Sequence, residues 1–212
     1  DDPGFGSLAY SATVAGTSHV PTSDLPLDTL LYWRVRASNA CGAGGNSAVR
    51  RFAVAAPISY CQTTGLAIPD ANTTGVNSQL TIPAGAGIVT DIDVDLVATH
   101  TWVGDLKFTL SNGTTTVAFY DRPGYTGSGF GCNGDNVDVL VNDEGPDGSV
   151  ESQCSNLPAT SGNRVGGDPA SASLLAAFDG QSLTGTWTLN ASDNASGDTG
   201  TVTTWFVAAQ NA

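Results

Sequence analysis

From residue 79 to residue 120, at 137–141, and again from 185 to 208, apolar side chains tend to recur at every second position. The clearest run is Asp91-Ile92-Asp93-Val94-Asp95-Leu96-Val97. A strand with that alternation puts three carboxylates on one face and three apolar side chains on the other. The same period predicts strands at 79–83, 88–98, 105–110, 115–120, 137–141, 185–190 and 201–208. Nearer the N-terminus, Leu31, Trp33, Val35 and Ala37 alternate with Tyr32, Arg34 and Arg36, which predicts a half-buried strand. A Gly-rich turn over 39–46 and a second strand over 49–54 follow. Between Arg122 and Ser173 the alternation survives only at 137–141, so that stretch is expected to be mostly loop. Loops of that length in a compact domain are usually functional or stapled. The run Ala56-Pro57-Ile58-Ser59 reads as a linker, dividing the chain into segments 1–57 and 58–212.

Composition supports an all-β chain. The 212 residues include 26 Gly, no Met and one lysine, Lys107, and are rich in turn formers. A net charge of −13 with only seven basic residues argues against nucleic acid, whose binding requires phosphate neutralisation. Anionic membrane surfaces are disfavoured for the same reason, and no apolar run is long enough to predict membrane insertion. The opening Asp1-Asp2-Pro3 lacks the features of a signal peptide, so an export signal is expected to lie outside this sequence.

Four cysteines permit three pairings, and none belongs to a Cys/His cluster with zinc spacing. Cys132 and Cys154 bracket a Gly-, Asp- and Asn-rich loop with little apolar content, where a bridge would supply order that packing does not. Cys41 and Cys61 would then pair by default, unless Cys41 has its partner outside the sequence. Gly16-Thr17-Ser18-His19 superficially matches a serine-nucleophile segment, but no orienting acid or oxyanion hole accompanies it, and no catalytic residue is assigned. His100 and Asp105 flank a Thr-Trp-Val-Gly turn; a hydrogen bond across that turn is the expected role, rather than acid/base chemistry. Trp102 and Trp187 are expected in the core or between sheets. Calcium is the cofactor invited by the acidic loops, with Asp135, Asp143 and Glu144 as expected ligands and Asp193 and Asp198 as the second choice. Asp, Asn and Gly at these places are also ordinary turn formers.

Three blocks lie in order along the second segment: Leu66-Ala67-Ile68-Pro69-Asp70, then His-Thr-Trp-Val-Gly-Asp-Leu from His100, then Gly185-Thr186-Trp187 with Asp193 to Gly200. On these residues the segment resembles the P domain of kexin- and furin-like proprotein convertases and of secreted bacterial proteases. The resemblance implies a jelly-roll-like β-sandwich that packs against, and stabilises, the catalytic protease domain of the same polypeptide. In the first segment, Leu25, Thr29, Trp33, the Arg-Val-Arg-Ala run and the Gly-rich loop resemble the last strands of a fibronectin type III domain. Leu31 stands where that family usually has its corner tyrosine. About half of such a domain is present, which predicts an open core face. The expectation is therefore a non-catalytic, extracellular region of a secreted bacterial endopeptidase, either subtilisin-like or a metallopeptidase. The rivals are a module that binds protein substrate or a cell surface through exposed Tyr120, Tyr125 and Phe130, and a structural adhesion protein.

Overall fold

The computed structural model describes residues 4–26, 29–54, 57–145, 148–152, 154, 163–164 and 175–211. Contacts divide the chain into two compact units, Asp1–Ala56 and Pro57–Ala212. In the first, β1 (Leu30–Trp33) is followed by the short pair β2 (Ser38–Asn39) and β3 (Gly42–Ala43), and it pairs antiparallel with β4 (Arg50–Ala53). Leu31, opposite Phe52, is the one buried apolar side chain among the described residues of this unit. Trp33, Val35, Val49 and Phe52 are exposed. The strand expected to reach Ala37 stops at Trp33. Beyond it the chain is held by separate hydrogen bonds: the Ser47 amide donates to Val35 O at 2.8 Å, and the Val35 amide donates to Ser47 Oγ at 3.0 Å.

The second unit contains β5 (Ile58–Ile68), β6 (Val76–Ile82), β7 (Val89–His100), β8 (Leu106–Ser111), β9 (Thr116–Asp121), β10 (Val137–Val141), β11 (Asn163–Arg164), β12 (Gly185–Asp193) and β13 (Gly200–Asn211). They form an all-β sandwich of two sheets, ordered β11-β10-β7-β13-β5 and β6-β12-β8-β9. Every pairing is antiparallel except the short one between β10 and β11. The alternation read from the sequence becomes burial: Ile92, Val94, Leu96 and Ala98 of β7 point inward with Val207 of β13, and meet Phe108, Leu110 and Leu189 from the other sheet. Trp187 and Trp205 are both fully buried, and each indole N–H is satisfied, by Leu183 O at 2.8 Å and Ser78 Oγ at 3.0 Å.

The strands expected from 79 onward are all present, with ends shifted by a few residues. β5 is new. Its first residues were read as linker, yet it runs along β13 from the Ile58–Ala209 pair to the Ile68–Gly200 pair. As the edge strand it keeps half of its residues exposed, and its middle, Gln62-Thr63-Thr64-Gly65, carries no apolar alternation. Gly65 adopts a φ of 62°, and the register slips between Val202 and Thr204 opposite it, as at a β-bulge.

Candidate functional site at one end of the sandwich

The connection from β7 to β8 and that from β12 to β13 both cross from one sheet to the other, and both cross at the same end. Registers fix this, with Gly200 opposite His100 and Asp193 opposite Leu106. The two crossovers are stitched together. The Asn194 backbone and side-chain amides both donate to Asp105 O, at 2.8 and 3.0 Å, and the Thr101 hydroxyl donates to Asp198 Oδ1 at 2.7 Å. Asp70, which follows β5, accepts from the Gly197 amide at 2.9 Å, so all three sequence blocks converge here. Gly200 must lack a side chain, because a Cβ would run into Thr99 O and the His100 ring.

His100 is buried and joins the sheets. Its Nε2 lies 3.4 Å from Asp193 Oδ2, its Nδ1 lies 2.8 Å from Trp102 O, and its backbone amide donates to Asn136 Oδ1 at 3.2 Å. The expected His100–Asp105 hydrogen bond is not the one formed. Asp193 is the carboxylate paired with the imidazole. Asp105 is only 2 % exposed, and its Oδ1 has no hydrogen-bond partner. Burial, then the charges of Asp193 and Asp198, push its carboxyl up to about 6, against the opposing pull of Arg122 and His100.

Asp105 lines a cavity of about 260 Å³ together with Trp102, Phe130, Ser196 and Asp198. Of the two tryptophans expected in the core or between the sheets, Trp102 is half-buried at this rim, in the connection from one sheet to the other, and Trp187 lies in the core. The Trp102 and Phe130 rings meet edge to face at 6.5 Å, and the Trp102 indole N–H donates to Phe130 O at 2.7 Å. Gly104 brings the Phe130 loop this close. Its amide donates to Cys132 O at 2.9 Å, and a Cβ there would strike Phe130 O and the Cys132 amide. Cys132 is bonded to Cys154 across 22 residues, the bridge expected from the loop's composition. Cys41 and Cys61 are both exposed, one in each unit.

The acidic residues named for calcium fall in different places. Asp135 precedes β10 and Asp143 and Glu144 follow it, so a whole strand separates them. Asp143 instead accepts the Leu175 and Ala176 amides, at 3.1 and 2.8 Å, and anchors the 3₁₀ turn Leu175–Phe178. Nearby, burial, then Asp91 and Glu144, raise the Asp93 carboxyl to about 6. Glu144 and Asp179 are also raised, each by burial first and then by Asp91 and Asp143. Asp193 and Asp198 belong to the crossover end, where Asp193 faces His100. Among the described residues, no group of three or more His, Cys, Asp or Glu side chains is placed to hold a metal ion. His19 hydrogen-bonds Tyr10 at 2.7 Å on an exposed surface and stacks on its ring. Of the three aromatics singled out, Tyr120 is buried, Tyr125 lies under the Arg122 guanidinium at 3.7 Å, and Phe130 is 66 % exposed.

Residues 138–208 match the family model of the proprotein convertase P-domain, an accessory, non-catalytic module. No curated protein matches the chain. Among solved structures, the crystal structure of the Aeromonas sobria serine protease and chaperone complex aligns at 15% identity and a TM-score of 0.41, covering 89% of this chain and 28% of that one. A crystal structure of the serine protease of Aeromonas sobria aligns at 14% identity and a TM-score of 0.39, covering 88% and 28%. The chain thus spans little more than a quarter of the length of either.

Proposed function

We propose that this chain is a non-catalytic accessory region of a secreted endopeptidase. Residues 58–212 would act as a P domain that stabilises or positions the catalytic domain, and residues 1–57 as part of a fibronectin-III-like spacer. The observation that carries the reading is the P-domain match over residues 138–208, which includes the β12–β13 crossover of the described site. The side chains of that site fit the role. His100, Asp193, Asn194 and Asp198 are engaged in tying one sheet to the other, not in presenting a nucleophile and a base to solvent. The exposed Phe130 beside a half-buried Trp102 favours a second contribution, contact with a partner at this end. The test is to express the parent polypeptide with and without this region. Activity should map outside residues 1–212, and deletion should lower the yield and melting temperature of the secreted enzyme. Casein hydrolysis by the purified chain that disappears on Ser18→Ala or His100→Ala would overturn the reading.

A further inference from the structure

The cavity at the crossover end is lined by a buried carboxylate with one oxygen that no hydrogen bond of the protein satisfies. Asp105 is 2 % exposed and its Oδ1 accepts no hydrogen bond. Burying a carboxylate in this way is unfavourable unless it is paired or protonated. The nearby cations are engaged elsewhere: Arg122 stacks on Tyr125 and donates to Gly104 O at 3.2 Å, Lys107 pairs with Asp121 at 2.6 Å, and His100 faces Asp193. Asp198 lines the same cavity, with Oδ1 taken by the Thr101 hydroxyl. The cavity is also lined by two aromatic residues, Trp102 and Phe130, with Trp102 fixed by its bond to Phe130 O.

We propose that this cavity receives the guanidinium of an arginine side chain presented by a partner protein. A guanidinium offers five donors in a plane to carboxylates and the Ser196 hydroxyl while its face lies on an aromatic ring, a combination that the compact, strongly hydrated lysine ammonium does not match. A calcium ion wants six to eight oxygens and gains nothing from two aromatic walls. The volume of about 260 Å³ falls just below the range for drug-sized ligands and suits a single side chain. The chain's net charge of −13 draws basic partners toward it. The inference concerns the chemistry of the occupant and holds whether or not the partner is a peptidase.

The test follows the four tryptophan indole resonances of the full chain during titration with N-acetyl-arginine amide. The Trp102 signal is assigned by its loss in Trp102→Phe. The Trp102 resonance should shift saturably while those of buried Trp187 and Trp205 stay still, and N-acetyl-citrulline amide, the neutral analogue, should leave all four unmoved. Asp198→Asn, which keeps a hydrogen-bonding group for Thr101, should weaken binding about tenfold, as expected for loss of a charged hydrogen bond. Asp105→Asn should do the same where its Trp187 and Trp205 signals report an intact fold. An absent shift, an equal response to citrulline, full binding by folded Asp198→Asn, or displacement of the arginine probe by stoichiometric calcium would each overturn the proposal.

Discussion

Asp95 of β7 lies between Leu140 of β10 and Phe206 of β13 in register, half-buried on the outer face of its sheet. Burial, and then the charge of Asp138, raise its carboxyl to about 6 from an unfolded value of 3.8. The folded state therefore holds the proton more tightly than the unfolded chain. This carboxyl favours folding most below pH 3.8, and its contribution declines as pH rises from there through about 6. Asp95→Asn removes the charge, so it should raise stability at pH 7.5 by about 1 kcal/mol, a figure reduced for solvent screening, and change it little at pH 4. Denaturant unfolding of both proteins at the two pH values checks this; an equal shift at both would show that titration is not involved. Gly104 fixes the other kind of residue-scale constraint. Gly104→Ala forces the turn away from Phe130 O and the Cys132 amide, and such overpacking typically costs about 1–3 kcal/mol. Chemical denaturation should read that loss, and Trp102 emission should change with it, because the Phe130 loop moves.

At the scale of elements, what the sequence revealed depended on whether burial followed a period. β7 was legible because Ile92, Val94 and Leu96 face the core while Asp91, Asp93 and Asp95 do not. β5 was hidden because an edge strand with a bulge opposite Gly65 needs no regular apolar face, and its hydrogen bonds to β13 leave no trace in side-chain chemistry. In the first unit the reverse happened. Trp33 and Val35 alternate well enough to predict burial, but β1 pairs only with β4, and no second layer covers them among the described residues of the unit. The site was half-visible: His100, Asp105, Trp187 and Asp193 stood in recognisable blocks, yet which of them touch is decided by two crossovers whose registers lie hundreds of ångströms of extended chain apart on the order of 3.3 Å per residue. The Gly, Asp and Asn residues between Cys132 and Cys154 pointed to their bridge, although the same span also carries β10, whose Val137, Val139 and Val141 are buried. Replacing both cysteines by serine should cost about 3 kcal/mol, or about 6–12 °C in melting temperature for a chain of this size. The variant's melting curve should then be indifferent to reductant, whereas that of the parent should fall toward it. A parent curve unmoved by full reduction would deny the bridge a stabilising role.

The whole molecule divides unevenly. The second unit encloses a continuous core that includes Phe108, Phe119, Phe178, Trp187 and Trp205, whereas the first buries Leu31 alone among its described apolar side chains. Ordering a residue costs about 1–2 kcal/mol of backbone entropy, so a unit of this size with one buried leucine has little to set against that cost. Exposed Trp33, Val35, Val49 and Phe52 are apolar surface that contributes to folding only when something covers it. Residues 57–212 expressed alone should therefore unfold in one cooperative transition, with a midpoint within about 3 °C of the full chain's main transition, a shift of no more than about 1 kcal/mol. Residues 1–56 alone should show no cooperative transition by calorimetry, and their tryptophan, Trp33, should emit as in water. Thiol labelling of the full chain should find both Cys41 and Cys61 reactive. A cooperative melt from the first fragment would mean that its core closes without a partner. A second fragment that fails to fold would mean that the sandwich depends on the residues preceding it, and the asymmetry of burial would then be a poor guide to where the stability of this chain resides.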